Sequence, residues 1–353
     1  MRKSRIFSQY LILLAMMVTL IPSMSRTQER TDAKLAQTGL KFLSVGLGAR
    51  QAALADAFTA SEGNSTSMFY NPAGMARLGG LADISVGQVN WIADIKQSYA
   101  SVAFSPASGD YGVIGLSFQY SDYGEIQSTI LANNTQGYLD VGSIHPNAYA
   151  VGLGYARALS DKFSVGANVK YVRQDLGVGV TQASPILDPT GSVSGVSIDA
   201  SNKNALDVIA FDFGLLYRTG FKSLTIGMAV RNFAREVTYQ KESFQLPLAF
   251  RLGVAMNVFD LTGFDRETQS LNITVDAEHP RDYPEQIKVG AEYVFMHMIS
   301  ARVGYIGPAD EHSISYGLGF NLAMAGTQFG LDYAYTPFGI FSNAQRFSLR
   351  FGF

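Results

Sequence analysis

The chain has 353 residues, a formal charge of −2, 16% charged residues, 35 Gly, 18 Tyr, 23 Phe and no Cys. The missing cysteine excludes a disulfide framework, a thiolate metal site and a cysteine nucleophile, and the lack of a basic excess argues against nucleic acid as a partner. Few charges together with many glycines and aromatics suit strands that meet lipid on one face.

In chain order, residues 1–25 read as an export signal. Arg2, Lys3 and Arg5 precede an apolar run over 10–21, Pro22 ends it, and Ser23-Met24-Ser25 supplies small residues for cleavage after Ser25. The run is shorter than the ~20 residues of a spanning helix. Residues 26–82 follow no strand period and are rich in small residues over 44–60. Within them, Asn71-Pro72-Ala73-Gly74 joins a good N-cap to a good first helical residue, so a short helix is expected there. A weakly charged, non-strand segment of this kind can fold inside a barrel lumen, and the resemblance given below implies that it forms a hatch there.

From residue 83 to 353 the pattern has a period of two. Fourteen segments repeat it, near 83–92, 97–106, 111–120, 147–158, 162–174, 206–218, 222–233, 247–258, 270–279, 285–295, 298–306, 312–322, 326–336 and 344–353. Most have the ~9–11 residues of a tilted membrane strand, and bacterial single-chain barrels have an even strand number. The links after the third, fifth, seventh and thirteenth segments are long and those after the fourth, sixth, tenth and twelfth short, as outer loops and periplasmic turns are, while Ala93–Lys96 is short for an outer link and Phe259–Gln269 long for a periplasmic turn. The long links over 121–146 and 176–204 form the candidate contact surface. Gly177, Gly179, Gly191 and Gly195 predict that the second is flexible, and Val178, Val180, Ile186, Leu187 and Val193 give it apolar area without internal strand pairing.

The polar face of the strands carries Lys162, Lys170, Asp212, Arg231, Lys288 and Glu292, together with the candidate lumen charges Arg251, Asp276, Glu278, Arg302, Arg346 and Arg350. Tyr120, Tyr171, Tyr217 and Tyr335 sit near strand ends, as an aromatic girdle places them. Phe351 and Phe353 end the last amphipathic strand and look like the signal read by the outer-membrane barrel assembly machinery. His145, His279, His297 and His312 stand in no metal-binding spacing, and there is no Gly-x-Ser-x-Gly elbow or phosphate loop. Glu125, Asp140, Asp188 and Asp199 read as solvated loop charge. No catalytic, metal or cofactor residue is therefore assigned. The fold expected is all-β: a transmembrane antiparallel β-barrel of 14 strands with an N-terminal hatch. Its parts are a cleaved signal (1–25), the hatch (26–82) and the barrel (83–353), placed in the lipid of a Gram-negative outer membrane.

Three features together resemble the FadL-like outer-membrane proteins. They are Gly-Leu-Gly-Ala-Arg-x-x-Ala-x-x-x-Ala-Phe over 46–58, Phe69-Tyr70-Asn71-Pro72-Ala73-Gly74, and the fourteen-strand pattern. Ala-Gln-Thr-Gly-x-x-Phe-Leu over 36–43 and Val89-Asn-Trp91-Ile-Ala-Asp94-Ile bring the resemblance closer to the PorV/PorQ branch. The resemblance covers the whole mature chain. It implies a part in type IX protein secretion. PorV-like members bind the C-terminal signal domain of exported proteins and carry them to the attachment complex, which makes exported proteins and other secretion components the implied partners. It carries Asn71-Pro72-Ala73 over as a hatch or wall element. The wider superfamily implies an alternative, passive uptake of long-chain fatty acids or other hydrophobic small molecules. That alternative expects an apolar lumen pocket beneath the outer loops, leading to a gap in the wall near the hatch.

Overall fold

Alternation with a period of two gives each strand one face for lipid and one for the lumen. A computed structural model describes residues 38–353 apart from 132–134, 188, 190–192, 240–241, 263–267, 310–311 and 325. The expected signal, the first part of the expected hatch, Asp188 and Gly191 lie outside the described residues.

Fourteen strands form the wall. They are β1 (Ala82–Asn90), β2 (Lys96–Phe104), β3 (Val113–Asp122), β4 (Asn147–Ala158), β5 (Phe163–Leu187), β6 (Val193–Arg218) and β7 (Thr225–Ala234). The second half is β8 (Ala249–Asn257), β9 (Gln269–Pro280), β10 (Gln286–Phe295), β11 (Ile299–Gly307), β12 (Ile314–Met324), β13 (Thr327–Thr336) and β14 (Ala344–Gly352). Each pairs antiparallel with its neighbours in the chain, and β14 pairs with β1 to close the barrel. Closure removes sheet edges, which lipid cannot satisfy. At the seam, the Phe353 N–H donates to the Ala82 carbonyl at 2.8 Å and the Leu81 N–H donates to the Phe353 carbonyl at 2.6 Å.

Burial follows the alternation. In β14, Phe347 and Leu349 are exposed toward lipid while Arg346 and Ser348 are buried. In β8, Phe250, Leu252 and Val254 are exposed and Arg251 is buried. One polar-face residue departs from this pattern: Lys162 lies exposed in the turn before β5, not in the lumen. Ser160 holds that turn, accepting the Phe163 N–H at 3.2 Å.

The long links differ from the sequence reading. Residues 176–204 are not an unpaired flexible loop. β5 and β6 continue past their neighbours as a two-stranded ribbon, with pairs from Val178↔Lys203 to Leu187↔Val193. β4 stops pairing at Asp175 and β7 at Ala210, so the ribbon rises above the wall. Alternating β-branched residues favour pairing. Gly177, at φ 82°, lies in the register shift between Asp175 and Val178, so this glycine serves a bulge. The link over 121–146 likewise contains a hairpin, Ile126–Leu131 with Tyr138–Ile144. The long links share one end of the barrel, which the asymmetry of bacterial barrels assigns to the cell exterior. The chain ends at the opposite, short-turn end.

Candidate functional site

The lumen is the place where function and fold meet, and the N-terminal segment fills much of it. The segment enters at the loop end. There the Thr38 hydroxyl donates to Asp282 at 2.6 Å, and Lys41 pairs with the same carboxylate. It leaves at the turn end, where Arg77 donates to the Ser160 carbonyl at 2.6 Å. In between are short helical turns at Lys41–Ser44, Ala49–Ala53, Ser65–Phe69 and Pro72–Arg77.

The expected helix start at Asn71 is present. The Asn71 carboxamide oxygen accepts the Ala73 N–H at 3.1 Å, with Pro72 in the first turn. Its amide nitrogen donates to the Thr59 carbonyl at 2.7 Å and to the Leu215 carbonyl of β6 at 3.1 Å. Asn71 thus ties two parts of the hatch to the wall. Gly74 packs so closely that a Cβ there would lie 2.7 Å from the Ser61 carbonyl oxygen.

The wall makes room with glycines. A Cβ on Gly166 would lie 2.5 Å from the Ala73 nitrogen, one on Gly227 2.3 Å from the Thr59 oxygen, and one on Gly304 2.2 Å from the Ala55 nitrogen. These backbone approaches allow no side chain.

The six candidate lumen charges do not converge on one point. Arg251 donates to Glu278 at 3.0 Å, and Lys288 pairs with the same carboxylate. Asp276 accepts the Phe58 and Thr59 N–H groups, each at 3.0 Å. Arg302 donates to Glu292 and to Asp332, both at 2.6 Å, and Arg50 of the hatch holds Glu292 in a two-bond clamp at 2.9 and 2.7 Å. Arg346 donates to the Gly46 carbonyl at 2.9 Å, and Arg350 to Asp83 at 2.6 Å. Arg50, Asp83 and Asp332 complete these networks and were not among the sequence candidates. Arg50 stood inside the Gly-Leu-Gly-Ala-Arg run, and nothing in the sequence linked it to Glu292, 242 residues away.

Tyr70 lies at the hatch centre, and its hydroxyl donates to Asp56 at 2.9 Å. Burial, reinforced by the Asp56 charge, pushes the phenol well above its ordinary range, so it remains a donor. Phe351 packs edge-on to Phe329 across β13 and β14 with centroids 5.4 Å apart, and Phe353 is exposed at the seam.

The two ends of the lumen differ in chemistry. At the loop end, Leu40, Phe42 and Leu43 of the hatch are buried against Ala148, Ala150, Val172, Val208 and Ala210 of β4, β5 and β6. Val45, Leu47, Val89 and Trp91 continue this apolar filling toward β1. Charge is also present near the loop end, where Arg251 and Lys288 pair with Glu278, and at the turn end Met68 and Met75 of the hatch are buried against Ala103, Val113 and Ala156. The polar residues of the turn end gather on the β9 to β14 side.

The family described as type IX secretion system protein PorV matches residues 27–277. The chain belongs to the PorV family. This PorV-family barrel is an outer-membrane protein associated with type IX secretion. No curated protein sequence matches it. Among solved structures it is similar to the toluene transporter TbuX of Ralstonia pickettii, at 14% identity over 87% of this chain and 97% of that one, with a TM-score of 0.53. The toluene transporter TodX of Pseudomonas putida gives 13%, 87%, 97% and 0.53, and a Pseudomonas aeruginosa FadL homologue 12%, 86%, 97% and 0.53. At these identities the likeness is one of fold: a PorV-family chain and hydrocarbon transporters share the fourteen-stranded barrel.

Proposed function

We propose that this PorV-family barrel binds exported proteins on its outer face during type IX secretion, using the links over 121–146 and 176–204, with no chemical step at the barrel. The observation that carries the reading is the filled loop end of the lumen. A hydrophobic passenger would need that apolar space, and Leu40, Phe42 and Leu43 of the chain itself occupy it, each only 2% exposed. A lateral exit would need a break in the wall. Instead β1, β2, β3 and β4 pair without a register shift, and where β6 and β7 do shift register, between Phe211 and Phe213, pairing continues on both sides. The outer face, by contrast, projects paired ribbons and bare apolar tips. Leu131 is 95% exposed and Ile340 91% exposed, and exposed apolar groups gathered on one face favour a partner. The last strand, with Phe351 and Phe353, is the part we assign to the barrel assembly machinery.

The test is affinity isolation of the tagged protein from detergent-solubilised outer membranes, in full-length form and with the ribbon shortened between Val178 and Lys203. Exported proteins that keep a C-terminal β-domain should accompany the full-length protein and be depleted from the shortened one. Equal recovery with both forms would remove the ribbon from the proposal. Recovery of a barrel with stoichiometric fatty acid and no exported protein would favour uptake instead.

A further inference from the structure

At the turn end the lumen holds a cavity of about 440 Å³, within the ~300–1,000 Å³ of small-molecule sites. Arg50, Gln51, Asn64 and Thr66 of the hatch line one side. Residues of β9 to β14, with Ser85 of β1 and Tyr99 of β2, line the other, down to His297 in the turn before β11, so the cavity opens toward the periplasm. It is not an apolar site. Its aliphatic lining is Val294, Leu322 and Ala323, amid hydroxyls, carboxamides and charges.

Three arginines, Arg50, Arg302 and Arg350, and two carboxylates, Glu292 and Asp332, line it. They are presented unequally. The side chains of Arg50 and Arg350 are 31% and 29% exposed, while their partners Glu292 and Asp83 are 3% and 1% exposed. The cavity therefore meets guanidinium groups with the neutralising carboxylates behind them. Each of these arginines spends Nε and Nη2 on the protein: Arg50 on Glu292, Arg350 on Asp83 and the Gly63 carbonyl. Nη1 of each has no partner among the described residues. Ser300 Oγ, in the same lining, is buried and also has none.

We propose that this cavity binds a carboxylate-terminated, amide-bearing chain end that reaches it from the periplasm, with Nη1 of Arg50 and Arg350 holding the carboxylate. Arg50, Arg302 and Arg350 are balanced by Glu292, Asp332 and Asp83, so what matches one carboxylate is the two Nη1 donors left unpartnered among the described residues. The hydroxyls and carboxamides match a peptide-like chain behind it, because a polar lining left unpaired by an apolar ligand would be costly. The site lies at the opposite end from the outer ribbons, and its failure would leave the outer-face reading intact.

Calorimetric titration of the full protein in detergent tests it, with Ac-L-Ala-L-Ala, Ac-D-Ala-D-Ala and their C-terminal amides as probes. At least one acid should bind saturably at one per barrel, and its amide should bind about tenfold weaker or worse, the loss of one charge-assisted hydrogen bond. A preference for the L form points to a protein chain end and for the D form to a cell-wall peptide; both uphold the site. Arg350→Gln should weaken the acid to the level of its amide, and Arg350→Lys should recover part of the binding. Ala323→Trp keeps every charge and fills the mouth, so it should abolish binding even if Arg350→Gln fails to fold. Absence of saturable binding by both acids, or equal binding of acid and amide, would overturn the proposal.

Discussion

One N-terminal segment fills the β4 to β6 side of the loop end with apolar side chains and leaves a polar cavity on the β9 to β14 side of the turn end. Toward the outside, Leu40, Phe42, Leu43, Val45 and Leu47 make a dry apolar fill against the wall. Toward the periplasm the same segment offers Arg50, Gln51, Asn64 and Thr66 to a polar cavity. The apolar end is where a hydrophobic ligand would enter from outside, and there the chain occupies the space itself. The polar end stays open. A shared barrel therefore does not transfer a shared cargo, because the hatch decides which space remains.

The largest expected effect comes from the polar end. Glu292→Ala leaves Arg50 and Arg302 without their common carboxylate, and breaking a buried pair costs about 3–5 kcal/mol. Heat or urea unfolding in detergent should show the loss, together with earlier proteolysis of the hatch. At the apolar end, Phe42→Ala should cost a similar or slightly smaller amount, about 3 kcal/mol or more. It should also open a dry space that binds toluene, measurable by titration, whereas the unaltered protein should not bind it.

Gly304→Ala drives a Cβ toward the Ala55 nitrogen and should cost about 1–3 kcal/mol. Gly79→Ala, whose added Cβ meets nothing within 4 Å, is the tolerated control. Asn71→Ala removes a cap worth about 1 kcal/mol, and the lost bonds to Thr59 and Leu215 add to that.

The smallest effect is one of pH at the outer rim. His312 stacks on Phe338 with centroids 4.3 Å apart, and burial pushes its imidazole below the ordinary histidine range. The unfolded chain then takes up the proton first, so stability falls as pH drops below about 6.5. Melting followed through Trp91, which packs edge-on to Phe338, should shift down in acid, and His312→Phe should flatten that dependence.

Much of the wall was legible in the sequence because its physics is local. Alternation fixed which of Phe347 and Arg346 faces lipid, and strand length and even number pointed to a barrel. The ribbon over 176–204 was misread because glycine marks both flexible loops and bulges, and only pairing across β5 and β6 separates the two. The hatch contacts were hidden for another reason. Gly304 with Ala55, and Arg50 with Glu292, are joined by the closed barrel and share no local pattern. Asn71 was found because a cap is a local device, whereas its bond to Leu215 was not foreseeable.

The most direct test of the account is native mass spectrometry of the purified barrel after incubation with palmitate or toluene. With the loop end filled by Leu40, Phe42 and Leu43, the spectrum should show the ligand-free mass. A stable complex with one palmitate or toluene per barrel would contradict the filled lumen and return the protein to the uptake reading.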